Sequence, residues 1–211
     1  MIRLVIADDH PVVREGLIRI IQECDDMELV GEAADGNEAL AQCREDAVDV
    51  LLLDISMPGP GYLDILHRLQ AQHPNIRVLV LSVHAEDLYA VRALKAGAAG
   101  YLTKSHSPEE LLRAIREIGK GRVYVTSGLA ERLAARLRSG REEILPHETL
   151  SDREFQVLRM LGAGKETNEI ALTLALSPKT VSTYRSRIMD KMKLRTKGEL
   201  IRYAVEHGLV E

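Results

Sequence analysis

The chain has 211 residues, of which 45% are hydrophobic, 28% charged and 3% aromatic, with no Trp and a formal net charge of -4. This balance excludes wholesale disorder, collagen-like repeats and a disulfide scaffold, and the length allows one large domain or two compact ones. No window approaches the roughly 18 consecutive apolar residues of a membrane span, and MIRLVIADDH puts two carboxylates where a signal peptide would continue, so a soluble, cytoplasmic chain with no membrane partner is expected.

Five short apolar runs open the chain, Ile2 to Ala7, Glu28 to Ala33, Val48 to Leu53, Arg77 to Leu81 and Ala99 to Leu102, and amphipathic stretches alternate with them. That alternation is the pattern of strands crossing over through helices into a parallel sheet. The first helical stretch, PVVREGLIRIIQEC, has Pro11 suited to a first turn and Val13, Leu17, Ile20, Ile21 and Cys24 along one face. The fifth opens with SPEEL, where Ser107 caps, Pro108 takes the first position, and Glu109 and Glu110 favour the positive end of the dipole. Cys24 and Cys43 both fall in helical sequence without metal-type spacing, and free thiols are expected.

The polar residues of this half gather at one edge. Asp8 and Asp9 follow the first run, Asp54 the third, Ser82 the fourth and Lys104 the fifth, while the second run contributes nothing obvious. In an open parallel sheet, ligands bind beyond the carboxyl ends of the strands. Three converging carboxylates repel unless a cation neutralises them, and a hard, oxygen-preferring ion, Mg²⁺ foremost, leaves room for a phosphoryl group. Lys104 and Ser82 then supply a point charge and a hydroxyl for phosphoryl oxygens, and Asp54 is the nucleophile that takes the phosphoryl group from a phosphohistidine.

Residues 122–148 join the halves, with a short amphipathic helix carrying Leu129, Leu133 and Leu137 that could pack on either, followed by a polar tether containing Pro146. Cutting the chain at Pro146 leaves 17 Lys+Arg against 23 Asp+Glu before the cut and 11 against 9 after it, a net of -6 and +2. Between Ser177 and Lys197 stand seven basic residues, Lys179, Arg185, Arg187, Lys191, Lys193, Arg195 and Lys197, and one acid, Asp190. Such a stripe points to a polyanion partner.

The last 62 residues show four helical patterns and no strand. The first begins with a capping box, Ser151 and Glu154; the third is capped by Ser177 with Pro178 at its first position. Along the third, Val181, Tyr184, Ile188 and Met192 form an apolar stripe flanked by Arg185 and Lys191, while Lys179, Ser182, Thr183, Ser186 and Arg187 point broadly the other way. A short helix, a turn and a helix with a basic, hydroxyl-rich face have the form of a helix-turn-helix, with Lys179 and Arg185 suited to phosphates and Ser182, Thr183 and Ser186 to base edges.

ADDHPVVREGL, LLLDISMPG, LSVH and GYLTKS resemble the receiver domain of two-component response regulators of the NarL/FixJ type, and TLSDRE, TNEIA and SPKTVSTYRSRIMDKMKL resemble the LuxR-type output domain. Within that family the chain is similar to the GacA/UvrY-like regulators. The resemblance implies a flavodoxin-like five-stranded parallel sheet of order 2-1-3-4-5 over residues 1–121, a linker over 122–148, and an all-α four-helix domain over 149–211. It also implies a DNA-binding transcription regulator phosphorylated on Asp54 by a sensor histidine kinase. By it, Asp9 is a direct Mg²⁺ ligand, Asp8 a ligand acting largely through water and the Ser56 backbone carbonyl a further one. Ser82 and Tyr101 are switch residues, Lys104 holds the phosphate, the third helix of the output domain reads double-stranded DNA, and the fourth, over Glu199 to Val205, builds a homodimer. On this view the chain is not an enzyme in the ordinary sense; it takes part in its own Mg²⁺-dependent phosphorylation and dephosphorylation. One position departs from the family: Gly usually stands four residues after the Pro of the DxxMP motif, where this chain has Tyr62, with Gly61 one earlier.

Two other classes remain open to sequence. A Mg²⁺-dependent phosphatase would also collect carboxylates at strand ends, but Asp8 and Asp9 are adjacent and lack the DxD spacing of haloacid-dehalogenase-like enzymes. A protein-binding adaptor would use the basic helix without salt-steep affinity for DNA.

Overall fold

The computed structural model describes residues 1–44, 48–83, 86–138, 145–174 and 176–210, without the side chains of 86–88 and 136–138. The chain divides into two compact units, Met1–Arg141 and Glu142–Glu211.

In the first unit, β1 (Ile2–Ala7), β2 (Met27–Ala33), β3 (Val50–Asp54), β4 (Arg77–Ser82) and β5 (Gly100–Thr103) form one parallel sheet in the order β2-β1-β3-β4-β5. Helices α1 (Pro11–Gln22), α2 (Gly36–Gln42), α3 (Tyr62–Gln72), α4 (Glu86–Lys95) and α5 (Pro108–Gly119) connect and follow the strands. The central strands are apolar on both sides because a parallel sheet is covered on both. Leu4, Ile6, Leu52 and Leu79 pack with Ile21 of α1 and Leu111, Ile115 and Ile118 of α5. The intervening Val5, Leu51, Leu53 and Val80 are equally buried and, by strand alternation, face the other layer.

Boundaries moved by one to three residues. β3 starts at Val50, just after Asp49, whose side chain accepts a hydrogen bond from the Arg3 amide at 2.8 Å, and it runs on to include Asp54. Helix α1 ends at Gln22, so Cys24 lies beyond it in the turn, a correction to its helical assignment. Cys43 is the cap residue that ends α2. Both thiols are free, and burial pushes that of Cys43 up to about 12.

The segment expected to join the halves begins within the first unit. Tyr124 bridges to Gly100 of β5, its hydroxyl contacts Arg113 and Glu110 of α5, and helix α6 (Ser127–Arg138) buries Leu129 and half-buries Leu133. The Leu137 side chain and residues 139–144 of the tether lie outside what the structure describes.

The second unit consists of a 3-10 turn (Pro146–Thr149) and four helices, α7 (Asp152–Gly162), α8 (Thr167–Thr173), α9 (Pro178–Met192) and α10 (Lys197–Glu206). The Ser151–Glu154 capping box and the Ser177 cap with Pro178 at N1 form as the sequence predicts. Phe155, Leu158, Ile170, Val181, Ile188, Leu200 and Ala204 are buried. Helices α7 and α10 meet at Gly162, where a Cβ would stand 2.6 Å from that of Ala204.

Candidate functional site

Strand register assembles the acidic edge. Ala7 pairs with Leu53, Asp54 with Leu81, and Ser82 with Thr103, so Asp8, Asp54, Ser82 and Lys104 emerge side by side at the carboxyl ends of four strands. Asp8, Asp54 and Ser82 are almost fully buried, whereas Asp9 is partly exposed. Lys104 bridges the two buried acids, its Nζ 2.6 Å from Asp8 Oδ2 and 3.0 Å from Asp54 Oδ1. The Ser56 amide donates to Asp54 Oδ2 at 3.2 Å, and the Lys104 amide donates to the Ser82 carbonyl at 2.7 Å. Tyr101 is fully buried on β5, paired with Val80.

Burial holds the Asp54 carboxyl above its ordinary range; the Lys104 ammonium works against this and the Asp8 charge adds to it. Burial works against the charge on Lys104, but the hydrogen bond to Asp8 and the charge of Asp54 outweigh it and raise its pKa. One ammonium thus compensates two buried carboxylates, leaving an anionic site.

That site suits a hard cation. Ligand atoms of Asp8, Asp9, His10 and Asp54 lie within 4.8 Å of one another. Asp8 Oδ2 and Asp9 Oδ1 are buried; the first meets the Lys104 ammonium at 2.6 Å and the second His10 Nδ1 at 2.7 Å, and each keeps a lone pair for a cation. Carboxylate oxygens with spare lone pairs are the donors Mg²⁺ prefers. His10 was not singled out from the sequence, although ADDH places it next to both acids; its amide also donates to Asp8 Oδ1 at 2.9 Å.

The turn after Asp54 accommodates its departure from the family pattern. Gly59 takes φ +88°, a conformation that L side chains rarely adopt. Gly61 is the N-cap of α3, and Tyr62 begins that helix with its side chain buried. Gly36 lies so close that a Cβ there would meet the Pro60 carbonyl at 2.6 Å.

In the second unit, the α9 stripe of Val181, Ile188 and Met192 is buried, with Tyr184 half-buried. Lys179, Ser182, Thr183, Arg185, Ser186 and Arg187 are all exposed. The Ser182 and Thr183 hydroxyls donate back to the Pro178 and Lys179 carbonyls at 3.0 Å, which leaves their oxygen lone pairs for an outside donor. Lys179, Thr183 and Arg187 line a shallow depression of 270 Å³ together with Thr180 and Tyr184, two residues the sequence reading did not assign to the site. Part of the basic stripe serves the fold instead. Lys191 pairs with Glu154 of α7 at 2.6 Å, and Lys197 with Glu166 at 2.7 Å.

Known proteins match both units. Residues 4–116 match the response regulator receiver domain, and residues 148–204 the luxR family of bacterial regulatory proteins. The response regulator UvrY of Escherichia coli K12 is 38% identical over 99% of this chain and 96% of its own. The response regulator GacA of Pseudomonas viridiflava is 39% identical over 100% of this chain and 99% of its own. Among solved structures, RcsB from Salmonella enterica serovar Typhimurium, bound to promoter P1flhDC with the phosphomimetic BeF3-, superposes with a TM-score of 0.61 at 26% identity, covering 96% of this chain and 97% of that one. No helix among the described residues is long and apolar enough to cross a membrane. The chain belongs to the NarL/FixJ-type response regulators, DNA-binding transcription regulators that join a receiver domain to a LuxR-type output domain.

Proposed function

We propose that Asp54 is the phospho-acceptor and that a sensor histidine kinase supplies the phosphoryl group. The bridge from Lys104 to both Asp8 and Asp54 carries this reading, because it puts a cation beside the acceptor carboxylate in a site otherwise crowded with negative charge. An Asp54 carboxylate oxygen forms a bond to phosphorus as the phosphorus–nitrogen bond of the donor phosphohistidine breaks, and the imidazole leaves with the electron pair and takes up a proton. Lys104 moves its charge onto a phosphoryl oxygen, and the Ser82 hydroxyl donates to another. Asp8, Asp9, Asp54 and the Ser56 carbonyl would hold Mg²⁺, which supplies charge neutralisation on the transferring oxygens. The same residues serve hydrolysis of the acyl phosphate, so the chain takes part in its own dephosphorylation without turning over a separate substrate.

Ser82 moving toward the phosphoryl group, with Tyr101 changing rotamer beside it, would report phosphorylation to the output domain, provided one state binds the phosphoryl group better. There Lys179, Arg185 and Arg187 contact phosphates of double-stranded DNA and Ser182, Thr183 and Ser186 reach base edges, with α10 pairing two copies as a homodimer. In this reading the receiver chemistry lies within residues 1–121, residues 122–148 connect it, with Tyr124 and α6 packed in the first unit, to an output domain over 149–211, and the chain works in the cytoplasm.

Asp54→Asn tests the acceptor. Incubated with acetyl phosphate and Mg²⁺, the wild-type chain gains an acid-stable, base-labile phosphate on intact-mass analysis and the variant gains none. Undiminished labelling of the variant would remove the assignment.

A further inference from the structure

Four strands bring side chains directly to the acidic notch, and β2 does not. The structure gives β2 an indirect part, through Arg14. Its Nη1 donates to the Asp8 backbone carbonyl at 2.7 Å and its Nε to Glu32 Oε2, near the end of β2, at 3.2 Å. The guanidinium ties the turn carrying Asp8, Asp9 and His10 to the neighbouring strand. The Asp8 amide hydrogen-bonds the Ala33 carbonyl of the same strand at 3.1 Å, so the turn is held to β2 at two points.

Local physics argues against an arginine at this place. Arg14 stands at the fourth position of α1, close to the positive end of the helix dipole, where carboxylates are favoured and the first turn contains none. An exposed ion pair adds little stability, and the side chains of Arg14 and Glu32 are 20% and 48% exposed. A residue that breaks a local preference without a matching gain in stability is a mark of function. The rigid, forked guanidinium explains the choice: it reaches two acceptors at once, whereas an ammonium holds them only as a point charge.

We propose that Arg14, braced by Glu32, is a positioning residue for the cation site, holding the β1–α1 turn so that the Asp8 and Asp9 carboxylates stay convergent despite their repulsion. The clamp acts on the affinity for the cation and leaves the phosphoryl chemistry at saturating cation unchanged. Glu32 also cancels the guanidinium charge, so the clamp does not itself repel a divalent ion. This rests on the Mg²⁺ assignment made for the notch.

The test titrates Mg²⁺ alone into the full chain by calorimetry, for the wild type and for Arg14→Gln, Arg14→Lys and Glu32→Gln, with far-UV circular dichroism to check folding. Residues that orient metal ligands typically change metal affinity by about 10-fold or more, and a loss of that order is expected for Arg14→Gln. Arg14→Lys is expected to recover part of it, and Glu32→Gln to lose less than Arg14→Gln. Labelling by acetyl phosphate at saturating Mg²⁺ should match the wild type in all three. Wild-type affinity in a folded Arg14→Gln, or slowed labelling that excess Mg²⁺ does not restore, would overturn the clamp. Should Arg14→Gln fail to fold, the other two variants carry the same comparison, and unchanged affinity in both overturns it. A wild-type chain that binds no Mg²⁺ contradicts the notch assignment instead, which separates the two failures.

Discussion

Replacing Lys104 by Met removes the one ammonium that compensates Asp8 and Asp54. At an effective dielectric of about 20, its attractions at 2.6 and 3.0 Å amount to about 6 and about 5.5 kcal/mol. The two carboxylates, within 4.8 Å of each other, repel by at least about 3.5 kcal/mol on the same scale. The charge–charge terms of the wild-type trio are therefore net attractive and offset part of the cost of burial, whereas the variant keeps only the repulsion and the burial of two charges. Part of the lost attraction returns because one buried charge no longer needs to be desolvated, so the expected destabilisation is about 3–5 kcal/mol, the usual consequence of breaking a buried pair. Mg²⁺ should restore most of it. At about a hundredfold excess over its Kd, a bound ion adds about 2.7 kcal/mol to the wild type, and it should add more to the variant, where no ammonium competes for the same oxygens. The Asp54 carboxyl, held above its ordinary range by burial, loses in the variant the ammonium that opposes this and should titrate higher still. Its penalty is absent below the unfolded carboxyl range, grows as the pH rises from there toward the folded pKa, and is complete above it. Urea unfolding followed by circular dichroism, in chelator and in Mg²⁺, measures both effects. A variant as stable as the wild type in chelator, or an equal Mg²⁺ increment in the two chains, would refute this charge balance.

The output domain should lose stability in acid through Glu154. Burial works to raise its pKa, but Lys191 and the Ser151 amide outweigh burial and depress it, so its contribution is present above the unfolded value of about 4.3 and disappears as pH falls through the folded one. Glu154→Gln should flatten that slope in urea unfolding at pH 3 to 6, and an unchanged slope would dismiss Glu154 as its source. Lys179→Ala and Arg185→Ala should each reduce the salt dependence of DNA binding by about one unit of slope, whereas Ser182→Ala should relax base preference at one position; anisotropy titrations at several salt concentrations on two DNA sequences distinguish these effects. Gly36→Ala would push a methyl group against the Pro60 carbonyl and should cost about 1–3 kcal/mol while slowing Asp54 labelling; wild-type stability would show that the loop yields freely.

The sheet was legible because a buried parallel strand needs an unbroken apolar run, and LVIA, VLLLD and VLVLS are such runs between polar turns. The acidic notch was legible for the same reason: a strand end is easy to locate, and the polar residue just past it falls on the ligand-binding edge. Caps at Ser107, Ser151 and Ser177 could be read because capping depends on residues three apart in sequence. Arg14 could not, since its bond to Glu32 spans 18 residues and depends on how α1 leans over β2. Nor could the basic stripe be divided between fold and ligand. Lys191 and Lys197 look like Arg185 and Arg187 in sequence, and only the packing of α9 against α7 turns Lys191 toward Glu154. The segment after residue 121 reads as a linker because its polar composition conceals Tyr124, which bridges to Gly100 of β5.

If a covalent change at Asp54 alters DNA binding, the affinity of the full chain for a selected DNA site must respond to acetyl phosphate and Mg²⁺ in the wild type and not in Asp54→Asn. Treated wild-type chain should bind more tightly, and the variant should not change. An equal response from both chains, or none from a wild-type chain that mass analysis shows to be phosphorylated, would contradict this coupling.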